Sequence, residues 1–349
     1  MTYSSSDHCD GTHFFNPEPT VRAATGNRLT LFSFILQRMR GRPEEWSKWP
    51  KHIENASYPA PAGEVAAGCA DVTFIGHSCF LIRLPGLTVL TDPVFSKRCS
   101  PVSFIGPKRV RAPGVALAAL PKVDLVLLSH NHYDHMDLAS LRKLRKRCPG
   151  VRIVTTLGNA AYLARKGLAG AAELDWWETH DLGETRITAT PARHFAARTL
   201  WDRNETLWAG FMLEHLGMKI YFAGDTGYTK FFAEIRRRLG TPNISLLPIG
   251  AYEPRWFMGP VHMNPADAVQ AFLDLGSGRA IGMHFGTFQL TAEAISQPQT
   301  DLALAMDEAG IDDEAFVTLD FGATWKYLPP GAQVGAGSGN RTRASSLGS

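Results

Sequence analysis

From Asp71 onward the chain alternates short apolar runs with turn residues, and the length and spacing of each run predict its element. Val72–Ile75, Cys79–Leu84, Leu87–Thr91 and Val123–Leu128 read as strands, the last carrying in Leu125–Leu128 a continuous apolar run of the kind buried on both faces. Helices are predicted near Leu138–Arg147, Ala160–Lys166 and Lys230–Leu239. Strands are predicted at Val151–Thr155, near Thr185–Thr190, Leu207–Leu213 and Lys219–Ala223, and at Ile244–Pro248. In Asn264-Pro-Ala-Asp267 the Asn can cap, Pro fits the first helical turn and an acid meets the positive end of the dipole, so a helix should run to about Leu275. Strand Ala280–Met283, a helix near Thr300–Glu308 and strands near Phe316–Leu319 and Thr324–Leu328 complete an α/β chain with many local hairpins.

The two ends have a different texture. Residues 1–70 mix Pro, Gly and charge around Arg28–Arg40, apolar in its middle and basic at its C-terminal end, and read as an arm with one amphipathic segment. Residues 331–349 are mostly Gly, Ser and Arg and offer little to bury, so a disordered tail is expected. Residues 71–330 are left as the catalytic domain.

Composition narrows the classes. Of 349 residues, 44% are hydrophobic and 20% charged, the balance of an ordinary folded protein, and no run of about 18 uncharged apolar residues could span a bilayer. A net charge of +3 gives no ground for a nucleic-acid partner. Five scattered cysteines without a C-x-x-C spacing argue against a disulfide framework and for a reducing compartment. The N-terminus has neither a basic n-region nor an apolar h-region, so the expected location is cytoplasmic.

Chemistry concentrates after the apolar run Leu125–Leu128, in Ser129-His130-Asn-His132-Tyr-Asp134-His135. In extended backbone His130 and His132 point the same way, and a turn just beyond them can present Asp134 and His135 to an adjacent point, so one loop can furnish parts of two metal sites. His194, Asp225 and His284 each follow another predicted strand. A lone histidine at such a place is more often a hydrogen-bonded rim residue than a ligand; in company with the loop, the set points to metal.

These residues resemble the metallo-β-lactamase superfamily, whose H-x-H-x-D-H loop is filled here by His130, His132, Asp134 and His135. That resemblance implies an αββα sandwich, two mixed sheets flanked by helices, over roughly Val72 to Leu328. It also implies that His130, His132 and His194 hold one metal, that Asp134, His135 and His284 hold the other, and that Asp225 bridges. Thr91–Ser96, Gly106–Arg109, Ser129–His135, Glu173–Glu178, Gly224–Tyr228, Met283–Phe288 and above all Pro248-Ile-Gly-Ala-Tyr-Glu-Pro-Arg-Trp-Phe-Met258 are similar to the N-acylphosphatidylethanolamine-hydrolysing phospholipase D family. The likeness implies a membrane-associated zinc phosphodiesterase acting on a glycerophospholipid, with hydroxide shared by the two metals attacking phosphorus to release an N-acylethanolamine and phosphatidic acid.

Nitrogen and oxygen donors without thiolate suit two zinc ions, while iron or manganese tolerates a similar set. The absence of cysteine from every ligand motif disfavours β-lactam hydrolysis. Asp134 and Asp225 are the expected catalytic carboxylates. Asp92, in Thr-Asp-Pro, is expected to accept a hydrogen bond from a metal-bound histidine, with a plain Asp-Pro turn as the alternative. His262 is expected to orient the substrate phosphate or protonate the leaving alkoxide, with a plain surface histidine as the alternative. Arg198 is expected to clamp the phosphate, Arg255 to do so or to form a structural ion pair. For His77 a supporting or structural role outweighs ligation. Residues 28–42 can lie in a membrane interface, giving peripheral membrane contact, or dock on the core; a homodimer is left open. A lactonase or sugar-phosphate hydrolase, an iron-dependent oxidoreductase and, more remotely, a non-enzymic membrane adaptor are the competing readings.

Overall fold

The structure is a computed structural model that describes residues 2–17 and 46–329. The amphipathic segment at residues 28–42 and the tail at 331–349 lie outside the described residues. Two seven-stranded sheets face each other. The first has the order β14-β1-β2-β3-β4-β5-β6, with β1 at Ala70–Gly76, β2 at Cys79–Leu84, β3 at Leu87–Thr91, β4 at Leu125–Leu127, β5 at Arg152–Thr156, β6 at Ala172–Leu174 and β14 at Thr324–Tyr327. The second has the order β13-β12-β11-β10-β9-β8-β7, with β7 at Thr179–Leu182, β8 at Thr185–Thr190, β9 at Gly210–His215, β10 at Met218–Phe222, β11 at Ile244–Pro248, β12 at Arg279–Met283 and β13 at Phe316–Val317. Each is mixed: β14 through β3 and β7 through β10 pair antiparallel, β3 through β6 and β10 through β13 parallel.

Period-two alternation with both faces covered explains why the central strands of the first sheet are mostly apolar. Phe74, Phe80, Ile82, Val89, Leu125 and Leu127 enter the large core shared with the second sheet. Ile75, Leu81, Leu90, Val126 and Leu128 face the other way, onto Leu141, Leu144 and Leu163 of the covering helices α1 (Leu138–Arg147) and α2 (Asn159–Arg165). Helices α3 (Phe231–Leu239), α5 (Pro265–Leu275) and α6 (Gln297–Glu308) cover the second sheet, and a short α4 (Arg255–Met258) sits beside the site. The αββα architecture expected from sequence is the one observed.

Local differences have physical causes. The strand expected at Leu207–Leu213 starts at Gly210, because Leu207 N donates to Leu157 O and Ala209 N to Ser129 O, which ties that stretch across to the first sheet. The last helix starts earlier than Thr300, with Pro298 in its first turn, where a missing N–H costs nothing. Nor is the N-terminal region wholly an arm: Cys9 and Phe14 belong to the same core as the sheets.

The strand directions place the site. β1, β3 and β4 run the same way in their sheet, as do β8, β10 and β12 in theirs, so their C-terminal ends share one edge of the sandwich. His77, Asp92, His130, His194, Asp225 and His284 all follow those ends. The two sheets meet closely there. Gly224 has φ +60°, and a Cβ on it would lie 2.7 Å from the Ser129 Cβ and 2.9 Å from the Ala209 carbonyl oxygen. Gly224→Ala should therefore lower unfolding free energy by about 1–3 kcal/mol, from overpacking plus a left-handed backbone, as read by urea denaturation.

Candidate metal centre

Eight side chains from five segments converge at that edge. His130 Nε2, His132 Nδ1 and His194 Nε2 form one nest, with His130 to His132 at 2.9 Å and His194 to His132 at 3.3 Å. Asp134, His135 and His284 form a second nest, together with His77. Asp225 Oδ2 lies between them, 3.1 Å from both His135 Nε2 and His284 Nε2, 3.8 Å from His194 Nε2 and 4.0 Å from His130 Nε2. The sequence stretches named as ligands thus come together in two groups around one carboxylate.

The imidazoles are aimed by hydrogen bonds on their far nitrogens. His135 Nδ1 donates to Asp92 Oδ2 at 2.6 Å, and Asp92 also accepts from Ser129 N at 2.8 Å and from the Ser129 hydroxyl at 2.6 Å. His130 Nδ1 meets that hydroxyl at 2.9 Å. Asp92 consequently orients one histidine of each nest, one directly and one through Ser129. His194 Nδ1 donates to the Val261 carbonyl at 2.9 Å. All three rings thereby turn Nε2 toward the centre, the arrangement by which outer hydrogen bonds orient a ring and raise its basicity. Strain gathers here too: His77, Asp92, Ala251 and His284 all have positive φ.

Electrostatics fit a cation. Burial opposes ionisation of Asp134 and Asp225, but His135 first and then His284 outweigh it and hold both carboxyls well below the usual range. Burial likewise opposes charge on His135, yet Asp225, Asp134 and Asp92 raise it well above an ordinary histidine; His284 is held at about 9, mainly by Asp225 and Asp134 against burial. The remaining rings are neutral: burial drives His132 to about 3, His194 to about 4, His77 to about 3 and His130 well below its ordinary value. The carboxylates thus draw positive charge toward the point between them, where a metal ion would supply it. His135 Nε2, His284 Nε2 and Asp225 Oδ1 are buried without a hydrogen bond, so the donor set is complete for a divalent cation and unsatisfied among its own members.

Other expected site residues find different places. Arg198 does not face the substrate cavity: its Nη1 donates to the carbonyls of Asn131 and, at 3.0 Å, Met136, and its guanidinium stacks 3.9 Å from the Tyr133 ring. This corrects its expected phosphate contact; it braces the loop through the carbonyls of Asn131 and Met136. Arg255 makes the structural contacts, with Asp267 at 2.6 Å and with the His262 carbonyl at 3.0 Å. Since Asp267 completes the capping box of α5, that helix start and Arg255 together set where His262 lies. His262 is buried, with Nδ1 unpartnered and 4.0 Å from Asp225 Oδ2.

His77, expected in a supporting or structural role, lies directly against the cluster. Its Nε2 donates to Asp134 Oδ2 at 2.9 Å and its ring lies 4.0 Å from that of His284. The available signal was its position just past an apolar strand, which it shares with His194 and His284. A cavity of about 210 Å³ opens onto His132, Asp134, Asp225 and His262; its other walls are mostly apolar, from Phe195, Ala251, Phe257, Met258, Val261 and Leu290, with Arg203 and Thr291.

Such a centre, at the shared C-terminal edge of two mixed sheets and beside a cavity, defines a metal-dependent hydrolase. Residues 88–285 match the model of the beta-lactamase superfamily domain, and the chain belongs to that superfamily. It is similar to N-acyl-phosphatidylethanolamine-hydrolyzing phospholipase D 1 of Caenorhabditis elegans, 36% identical over 266 residues that cover 73% of this chain and 75% of the relative. The mitochondrial N-acyl-phosphatidylethanolamine-hydrolyzing phospholipase D of Saccharomyces cerevisiae is 38% identical over 251 residues, 70% of this chain and 53% of the yeast protein. Among solved structures, a metallo hydrolase from Ignicoccus hospitalis shares the fold with a TM-score of 0.56 at 23% identity, over 74% of this chain and 99% of that one.

Asp92→Ala should weaken metal binding about 10- to 100-fold, because it releases a histidine in each nest at once; competition against a chromophoric chelator measures it.

Proposed function

We propose that the chain is a dinuclear zinc phosphodiesterase of the phospholipase D type, hydrolysing N-acylphosphatidylethanolamine or a related glycerophospholipid to an N-acylethanolamine and phosphatidic acid. The observation that carries this reading is Asp225 Oδ2 standing between two nests of donors at the floor of an apolar-walled cavity. His130, His132 and His194 would hold one ion and Asp134, His135 and His284 the other, with Asp225 shared; nitrogen and oxygen donors without thiolate favour zinc. When bound, a pair of such ions supplies Lewis-acid polarisation of a phosphoryl oxygen and a lowered pKa for water.

The protein's own groups do the rest. His262 Nδ1, buried at the cavity wall and unpartnered, is placed to hold a substrate oxygen by hydrogen bond. Phe195, Phe257, Met258, Val261 and Leu290 accept the lipid's hydrocarbon and exclude water from the reacting phosphate. In the overall change, the oxygen of water ends on phosphorus, the P–O bond to the N-acylethanolamine breaks, and the departing oxygen takes a proton.

Zinc-reconstituted protein given vesicles of N-acylated and plain phosphatidylethanolamine, with products read by mass spectrometry, tests the proposal. Phosphatidic acid and N-acylethanolamine should accumulate in equal amounts, and Asp225→Asn or His132→Ala should cut the rate by about a hundredfold or more. Turnover of a lactone or sugar phosphate with no phospholipid cleaved would overturn it.

Peripheral contact with a bilayer is part of the same reading, supported by large apolar side chains left in solvent. Trp201 is 82% exposed and Trp256 61%, each within two residues of a cavity wall, while Phe104 is 79% exposed on a loop flanked by Lys97, Arg98 and Lys108. Aromatic tips beside cations suit an anionic lipid interface. The double change Phe104→Ser with Trp201→Ser should lower turnover on vesicles several-fold and leave that of a soluble short-chain phosphodiester unchanged.

A further inference from the structure

Residues 2–17 fold back on themselves through bridges between Ser6 and Cys9 and between Cys9 and Phe14, and then lie against the segment that carries His194. Phe14, fully buried, donates its N–H to Asn204 O at 2.9 Å; the Tyr3 hydroxyl donates to Glu205 O at 2.9 Å. His8 bridges to Asp175 at 2.7 Å with its ring stacked 4.2 Å from Trp176. The clip ends at Asn16. There the side-chain Nδ2 donates to His194 O at 3.0 Å, and His194 N donates to Asn16 Oδ1 at 3.2 Å.

One carboxamide thus satisfies both backbone groups of a single residue, as a neighbouring strand would. The need is local. β8 ends at Thr190, so His194 lies beyond any ladder, yet it is fully buried, where an unpaired N–H or C=O is costly. Its ring has a single anchor on the far side, Nδ1 to Val261 O. With the ring tethered at one point, the backbone of His194 decides where Nε2 falls, and a metal bond tolerates only about 0.2 Å of error.

We propose that Asn16 is a positioning residue for the metal centre, holding the backbone of His194 so that its Nε2 joins His130 and His132. The proposal rests on the reading of His194 as a ligand. By this account residues 2–17 complete one of the two metal sites from 178 positions away in sequence.

Zinc titration of the full chain against a chromophoric chelator, done on wild type, Asn16→Ala and His194→Ala, tests it. His194→Ala should lose one of two zinc equivalents. Asn16→Ala should retain both while one binds about 10- to 100-fold more weakly and the other is unchanged, a selectivity that general loosening of the fold would not produce. If His194→Ala keeps both equivalents, the ligand reading itself falls. Loss of one equivalent in His194→Ala, with Asn16→Ala binding as wild type or weakening both sites equally, overturns the role of Asn16 alone. Should Asn16→Ala not fold, Asn16→Asp, which keeps the acceptor for His194 N and gives up the donor, is judged by the same criteria.

Discussion

Buried carboxylate charge is the constraint from which the rest of this molecule follows. Asp92 and Asp225 are carboxyl groups withdrawn from water at one edge of a sandwich, with Asp134 half-buried beside them, and none of the three lacks an imidazole partner there. Imidazoles answer them from both sheets. Because Asp225 comes from the second sheet and His135 from the first, the 3.1 Å contact between them spans the interface between the halves. The charges that a metal would satisfy are therefore the same ones that hold the two sheets in register at this edge.

Parallel topology makes the arrangement cheap to build. Strands running in one direction deliver their C-terminal residues to one edge, where the backbone leaves the ladder and is free to turn. Apolar side chains on both faces of β4, and on most positions of β3, leave the strand ends as the places where polar chemistry can gather. The loop after β4 exploits this at once, with Ser129 donating to Asp92 and His130 next in line. Left-handed backbone at His77, Asp92 and His284 is the conformational cost of turning so soon after a strand.

How much of this was legible beforehand depends on how local each signal is. α1 was readable to the residue because Asp137 caps it and its apolar face repeats, and α5 because Asn264, Pro265 and Asp267 declare its start. The ligand loop was readable because four donors crowd into six residues. By contrast β6 and β7 are short edge strands with little apolar alternation, and they exist because β5 and β8 offer them a ladder. Arg198 looked like a phosphate clamp because its charge was visible and the carbonyls of Asn131 and Met136 awaiting it were not. Whether His77 pointed to Asp134 or into the core turned on one dihedral angle that no spacing encodes.

The histidines of the centre are held by two different kinds of structure. On one side Asp92 stands at the end of a central strand, is itself fixed by two donors from Ser129, and governs His130 and His135 through short charge-assisted bonds. On the other, His194 depends on groups from three irregular segments: Val261 O, the Asn16 carboxamide, and behind Val261 the turn that Arg255 ties to the cap of α5. Sheet-borne support is rigid because every neighbouring residue shares the ladder, whereas loop-borne support is only as firm as its few hydrogen bonds. The cavity opens on the loop-borne side, between Phe195 and Val261. The cavity is thus bordered by the histidine held by loops, while Asp92 supports the centre from the end of a strand behind it.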